Sequence, residues 1–318
     1  MAIRFLFVMD PLDRILPDKD TTFVFMLEAL RRGIEVYTCT VDRLFARNHE
    51  PWAQARRSEV ARTEPPYRLF EERIESLHWY DAIFMRKDPP VDQSYLFATY
   101  LLDLVDREQT FVLNEPRGLR EANEKLYALN FPSLIPPTVV TCDIARLKAF
   151  LREMGGEMII KPLDCCGGAG VFLAREQDRN LNALLELATA NGSRFLMAQR
   201  YLPEARNGDK RILLLDGEPL ATILRVPRHD DHRGNIHAGG AVHPTELTPR
   251  DYEIISGLAP RLRADGLYFV GIDVIGGYLT EVNVTSPTGI QEANRFANAA
   301  YEGRVIEFAL AHCPRLQK

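Results

Sequence analysis

The run Tyr268-Phe269-Val270-Gly271-Ile272-Asp273-Val274-Ile275-Gly276-Gly277-Tyr278-Leu279-Thr280-Glu281-Val282-Asn283-Val284 decides the reading of this chain. Two alternating apolar stretches flank a glycine turn, the pattern of a β-hairpin. Side chains alternate faces along a strand, so Glu281 and Asn283 share one face and Val282 and Val284 the other. With Gly276-Gly277-Tyr278 as a three-residue loop, Asp273 lies opposite Glu281, and Ile272 and Val274 pair with Val282 and Thr280. Two carboxylates and an amide oxygen then converge on one surface. They are hard-oxygen ligands suited to Mg²⁺, which takes few protein ligands and completes its shell with phosphate oxygens and water. The alternative is the solvated face of an amphipathic hairpin, against which the small apolar neighbours speak.

Upstream, Ile159-Ile160-Lys161-Pro162-Leu163-Asp164-Cys165-Cys166-Gly167-Gly168-Ala169-Gly170-Val171-Phe172 reads as strand, glycine loop, strand. Glycines let backbone N–H groups approach phosphate oxygens, and Lys161 adds a point charge. The Gly-Lys-Ser/Thr ending of a P-loop is missing and no helix follows directly, so a Walker-type loop is not indicated. Taken alone, an ordinary hairpin turn stays open. Residues 195–203 form an apolar strand with a proline stop. Asn207-Gly208-Asp209-Lys210-Arg211 follows, so backbone groups could meet an adenine edge, with Asp209 placed to accept from a ribose hydroxyl. The polar stretch 226–241, flanked by glycines, could close over a site and exclude water. Its His229, His232 and His237 match no zinc spacing and read as solvated lid residues.

The first third alternates strands with amphipathic helices: a strand at 3–9, a helix at 22–32 capped by Gly33, and a strand at 35–39. After a polar, Arg-rich stretch at 47–73, the pattern resumes with a strand at 82–85, a helix at 95–105 and a strand at 110–113. This grammar predicts a mostly parallel sheet with ligand-facing loops at the strand C-termini, where Arg86-Lys87-Asp88-Pro89-Pro90 falls. Prolines 132, 136 and 137 break the chain after a helix carrying Lys125, and a domain boundary is expected near residue 120. Beyond residue 158 the elements become strands joined by Gly-rich or Asp-Gly turns, including the hairpin signal Leu215-Asp216-Gly217-Glu218.

At 318 residues, 46% hydrophobic and 26% charged, the chain is a folded protein of two or three packed units. A net charge of −5 provides no bulk attraction to nucleic acid or anionic membrane. No apolar run is long enough to span a bilayer, and the N-terminal one ends at Asp10-Pro11. The five cysteines, Cys39, Cys142, Cys165, Cys166 and Cys313, show neither a disulfide framework nor metal-ligand spacing, which suits a reducing cytoplasm.

Taken in order, Val8-Met9-Asp10-Pro11, Met85 to Pro90, Asn123-Glu124-Lys125-Leu126, Lys161-Pro162-Leu163-Asp164 and Met197-Ala198-Gln199 resemble the bacterial glutathione synthetase family of ATP-grasp ligases. The likeness continues through Gly208 to Arg211, Asp216 to Pro219, Arg233-Gly234-Asn235, Ala238-Gly239-Gly240, Gly271-Ile272-Asp273 and Thr280 to Thr288. It implies an N-terminal parallel-sheet α/β domain at 1–120 and a two-subdomain ATP-grasp fold at 121–318. The second part divides into a nucleotide-clasping unit at 121–203 and a catalytic unit at 204–318 with its lid at 226–241.

By the same resemblance, ATP, γ-glutamylcysteine and glycine are the substrates, Mg²⁺ or Mn²⁺ the metal, and a homotetramer the assembly. Lys125, Lys161, Gly167 and Gly168 would hold phosphates, and Gln199, Tyr201, Leu202 and Asp209 would frame adenosine. Asp273, Glu281 and Asn283 would bind the metal, while Arg211, Arg225 and Arg233 would serve the charge of the reacting groups and their cover. Arg86, Lys87, Asp88, Ser286, Pro287 and Thr288 would contact substrate.

One departure matters: Cys165 stands where related sequences usually carry glycine, and a β-carbon is strained at positive φ. The expectation is that the loop bends differently or that this position tolerates a substituent. Another ATP-grasp carboxylate–amine ligase, or an inactive ATP-binding module, are the competing readings.

Overall fold

The computed structural model describes residues 2–228 and 240–317. The predicted lid residues His229, His232, Arg233 and His237 lie outside the described residues.

The N-terminal sheet has seven strands: β1 Arg4–Val8, β2 Glu35–Cys39, β3 Leu44–Arg47, β4 Glu50–Val60, β5 Tyr67–Ser76, β6 Ala82–Met85 and β7 Phe111–Leu113. Their order is β3-β4-β2-β1-β6-β7, with β5 on the outer side of β4. Strands β2, β1, β6 and β7 are parallel, as expected, whereas β4 runs antiparallel to β2, β3 and β5. The Arg-rich stretch thus forms an antiparallel extension of the sheet. Its burial alternates along β4, with Ala53 and Ala55 in the core, but charged residues on the open face masked that period.

Helices α1 Thr21–Arg31 and α2 Gln93–Asp103 begin at Asp20 and Asp92, whose carboxylates accept from Phe23 N and Tyr95 N. Then come α3 Pro116–Glu121 and a short 3₁₀ turn at Leu126–Asn130. Lys125 thus sits at the entry to a 3₁₀ turn rather than within an α-helix. Asn123 Oδ1, accepting from the backbone N–H groups of Lys125 and Leu126 at 3.1 Å each, shapes that entry.

A second sheet, ordered β10-β9-β11-β8, consists of β8 Thr138–Thr141, β9 Glu157–Pro162, β10 Phe172–Arg175 and β11 Leu196–Arg200, all antiparallel. Helices α4 Ile144–Glu153 and α5 Leu181–Ala188 cover one face, closing a core that includes Leu147, Leu151, Met158, Ile160, Leu185 and Ala198. The third sheet, ordered β14-β13-β12-β15-β16, comprises β12 Asp209–Leu215, β13 Glu218–Val226, β14 Ala241–His243, β15 Phe269–Ile275 and β16 Tyr278–Asn283. It carries α6 Pro249–Ala264, α7 Ile290–Ala297 and α8 Glu302–His312. The β12–β13 turn has Asp216 at φ 51° and Gly217 at φ 74°, the two positive φ values that an Asp-Gly hairpin supplies.

The first and third sheets share their cores. Leu6 and Val8 pack in one cluster with Ile212, Leu214, Leu258 and Val282, while Phe5 and Phe7 pack in another with Leu213, Phe269, Ile290 and Val305. Alternate residues of β1 and β12 therefore bury opposite faces, which explains why both strands read as nearly continuous apolar runs. Asn114 stitches the two sheets: its amide donates to Phe269 O at 2.8 Å and Val284 O at 2.9 Å and accepts from Phe269 N at 2.8 Å. The second sheet keeps its own core, and a cleft opens between it and the third.

The deciding hairpin forms, with one correction. Its loop is Gly276-Gly277 at φ 55° and 77°, so Ile275 pairs with Tyr278 and Val274 with Leu279, not with Thr280. Thr280 is the extra residue of a bulge, which restores Asp273 opposite Glu281 and Ile272 opposite Val282. Two-residue turns with both φ values positive match the twist of paired strands, and the glycine pair selects that solution.

Candidate active site

Strand period two builds both walls of the cleft. On β9, Met158 and Ile160 enter the core, leaving Ile159 and Lys161 on the cleft side; on β11, Ala198 turns inward and Gln199 faces the cleft. Lys161 Nζ donates to Gln199 Oε1 at 2.7 Å, and Gln199 Nε2 donates to Thr138 Oγ1 at 3.0 Å. Burial lowers the Lys161 pKa, only partly offset by the nearby Glu281 carboxylate.

On the opposite wall, the register of the third sheet sets Arg225 beside Asp209, Arg211 beside Asp273, and Asp273 beside Glu281. Arg211 donates Nε to Asp273 Oδ1 at 2.5 Å and Nη2 to Oδ2 at 3.0 Å; Arg225 Nη2 lies 3.0 Å from Oδ2, and its Nε donates to Asp209 Oδ1 at 2.5 Å. Burial raises the Asp273 carboxyl, but the two guanidiniums outweigh it and hold the group below the usual carboxylate range. For Asp209 burial prevails over Arg225 and its pKa rises.

Lys125, Lys161, Cys165, Cys166, Gly167, Gly168, Gln199, Tyr201, Leu202, Asp209, Asp273, Thr280 and Glu281 line one cavity in the cleft. Lys125 Nζ lies 3.2 Å from Glu281 Oε1 and donates to Cys165 O at 2.5 Å. Gly167, Gly168 and Gly170 have φ of 63°, 80° and 70°, whereas neither cysteine takes positive φ. The loop thus bends at its three glycines and accommodates Cys165 without the strain anticipated for a β-carbon.

A second cavity adjoins the first, sharing Cys166, Gly167 and Glu281. Asp88, Ser286, Pro287, Thr288, Arg211, Arg225 and Asn283 line it, as do four residues the motif reading left unassigned: Arg14, Lys19, Glu124 and Glu292. Glu124 belongs to the Asn123-Glu124-Lys125-Leu126 motif, a local signal in the sequence; Glu292 sits in an amphipathic helix with no such signal. Glu124 Oε1 accepts from Val284 N, Thr285 N and Thr285 Oγ1 at 3.1, 3.2 and 2.8 Å, and burial raises its pKa.

Arg86 and Lys87 do not line this cavity. Arg86 is 3% exposed and donates to Thr22 Oγ1, Thr285 O and Pro287 O, so it holds the 285–287 turn from behind; burial lowers its pKa to about 10. Lys87 pairs with Asp10 at 3.0 Å.

The donor chemistry fits a divalent cation bound with a phosphorylated ligand. Asn283 donates through Nδ2 to Gly271 O and Asp273 Oδ2; among the described residues no group donates to its amide oxygen, and it stands two positions from Glu281 on the same strand. Lys125, Lys161, Arg211 and Arg225 provide four cations for anionic oxygens; Lys125, Arg211 and Arg225 are ion-paired within the site, while Lys161 rests on neutral acceptors.

The fold matches ATP-grasp ligases of low sequence identity. D-cycloserine synthetase DcsG superposes with a TM-score of 0.64 at 16% identity, covering 99% of this chain and 100% of that one. The ATP-grasp ligase PsnB, complexed with a minimal precursor, gives 0.64 at 16% identity over 98% and 100%. Glutathione synthetase of Gloeobacter violaceus is 48% identical over 98% of this chain and 97% of its own length, and that of Coxiella burnetii 44% identical over 95% and 94%. Residues 3–120 match the prokaryotic glutathione synthetase N-terminal domain and residues 124–298 its ATP-grasp domain. With both parts present in order along nearly its whole length, the chain belongs to the prokaryotic glutathione synthetase family.

Proposed function

We propose that the chain joins the cysteinyl carboxylate of γ-glutamylcysteine to the amine of glycine, converting ATP to ADP and phosphate and releasing glutathione. It is an ATP-dependent ligase of glutathione synthesis that uses a divalent metal. Mg²⁺ rather than Mn²⁺ is our assignment, from a hard set of carboxylate and amide oxygens. The observation that carries the reading is the junction of the two cavities, where Glu281 faces both and Arg211, Arg225 and Asn283 stand at its edge.

In this reading Lys125, Lys161, Gly167 and Gly168 hold the triphosphate, and Gln199, Tyr201, Leu202 and Asp209 frame adenosine. Asp273, Glu281 and Asn283 hold the metal, which neutralises phosphate charge when bound. The donor carboxylate attacks the γ-phosphorus and ADP leaves, giving an acyl phosphate. Arg211 and Arg225 stabilise the oxygens on which charge develops. Glycine's amine then attacks the acyl carbon, loses a proton, and phosphate departs. The protein needs no nucleophile of its own, only orientation, charge and exclusion of water; the 226–241 segment, with Arg233, is assigned to that exclusion.

Residues 1–120, 121–203 and 204–318 are proposed as the working units. A homotetramer in the cytoplasm is the proposed context; among the described residues no helix is long and apolar enough to cross a membrane. The test is ADP release with Mg-ATP and both substrates, against each omitted, with product identified by mass. Release that requires both, with glutathione formed, supports the reading; ATP binding without turnover turns it toward another donor or a binding module.

A further inference from the structure

The glycine loop between β9 and β10 carries two adjacent thiols that phosphate binding does not use. Cys165 and Cys166 are free, the first half-buried and the second exposed. Both line the first cavity, and Cys166 lines the second as well. Neither belongs to a helix or a strand, so no ladder fixes the peptide unit between them. Cys39 and Cys313, by contrast, are buried in the core.

Consecutive Cα atoms lie about 3.8 Å apart across a trans peptide, short of the ~5.5 Å usual for a disulfide. A bond between adjacent thiols therefore forms only if the backbone joining them is rebuilt. Such a bond is strained and easily reduced, which suits a switch rather than a structural link. Here that backbone is cavity wall: Cys165 O accepts from Lys125 Nζ at 2.5 Å and Cys166 O from Ala169 N at 3.1 Å. Gly167 and Gly168 follow at once with their positive φ. Turning the Cys165-Cys166 peptide takes its carbonyl from Lys125 and re-aims the glycine N–H groups.

We infer that Cys165 and Cys166 form a dithiol modification site, which a low-molecular-weight disulfide oxidises to a bond between the two, closing the loop to phosphate. The inference rests on the reading that this loop holds the triphosphate. Cys166, the exposed thiol, loses its proton and attacks one sulfur of the reagent, whose S–S bond breaks and releases one thiol. Cys165, with Sγ 3.6 Å from Asp164 Oδ1, then gives up its proton and attacks Cys166 Sγ, releasing the second thiol. The protein loses two electrons and two protons, and the reagent gains them as two thiols. Burial raises the pKa of both cysteines, so the exchange is slow and answers to a sustained excess of disulfide. The disulfide of the proposed product is such a reagent, and ATP binding then follows the redox state of that product.

The test incubates the full-length reduced protein with glutathione disulfide and follows it by intact mass, peptide mapping and calorimetric titration with Mg-ATP. Wild-type protein is expected to lose two hydrogens, mapped to Cys165 and Cys166. Its Mg-ATP affinity should fall about tenfold or more and return with dithiothreitol. Cys142→Ser, which removes the other partly accessible thiol, should respond as wild type does. No bond in a large excess of reagent, reaction at Cys142 alone, or a Cys142→Ser protein that no longer responds overturns the site. So does an oxidised protein that binds Mg-ATP as well as the reduced one while Lys161→Met binds it weakly. If Lys161→Met also binds normally, the nucleotide reading of the cavity fails and the inference falls with it.

Discussion

Asp273 is gripped by Arg211 through both of its oxygens, at 2.5 and 3.0 Å, while Arg225 lies 3.0 Å from the second. All three side chains are almost wholly buried. The arrangement ties the proposed metal-binding carboxylate to the proposed charge-stabilising arginines, so stability and chemistry depend on the same contacts.

Replacing Asp273 by Asn should leave two buried guanidiniums without their main counter-charge. Breaking a buried pair from one side costs about 3–5 kcal/mol, so urea unfolding should show a loss of that order. Substrate-dependent ADP release should fall at least a hundredfold. A variant as stable as wild type would show that the pairs are rearranged at little cost.

The same carboxylate sets an acid limit. Its folded pKa lies below the ordinary range because the two arginines outweigh burial, so its stabilising share is present above the unfolded value, about 3.9, and is lost as pH falls toward the folded value. The difference in unfolding free energy between wild type and Asp273→Asn should shrink as pH drops below about 4. A constant difference between neutral and strongly acid solution contradicts this.

Lys161 should give nucleotide binding an alkaline limb. With its pKa lowered by burial, it loses charge at lower pH than an exposed lysine, whose value is about 10.4. Calorimetric titration with Mg-ATP should therefore show affinity falling as pH rises through that lowered value. Lys161→Arg, charged throughout, should flatten the limb, and Lys161→Met should weaken binding roughly tenfold or more at neutral pH. A limb that persists unchanged in Lys161→Arg assigns it elsewhere.

Gly271 offers a test of position rather than charge. A β-carbon there would lie 2.9 Å from Pro287 Cβ and 3.1 Å from Arg211 Cδ, so a methyl group would push the turn and the arginine apart. Gly271→Ala is expected to lower kcat by about tenfold or more while the KM for ATP changes little, because the nucleotide cavity does not include residue 271. Steady-state kinetics with each substrate varied separates the two effects.

Much of the site was legible from strand periodicity. The alternation in residues 268–284 put Glu281 and Asn283 on one face, because local backbone geometry dictates which side chains share a surface, whereas Asp273 meets Glu281 because the bulge at Thr280 makes up for a loop one residue shorter than expected. The glycine loop was legible too, although only the folded backbone shows that its bend falls at Gly167, Gly168 and Gly170 and spares Cys165. The antiparallel β4 and β5 were hidden because charges on an open sheet face blur the alternation that marks a strand.

What the sequence by itself determined is the local pieces whose periodicity is unblurred, namely the hairpin, the Asp-Gly turn and the apolar double-faced strands, with the faces they present. Which distant elements meet was decided only by the tertiary structure. Arg86 became the brace of the 285–287 turn, Arg211 and Arg225 converged on Asp273, and Glu292 came to share a cavity with Arg14 and Lys19. Periodicity reports neighbours a few residues apart, while these pairings arise from packing three sheets around shared cores, where burial settles which charges find partners.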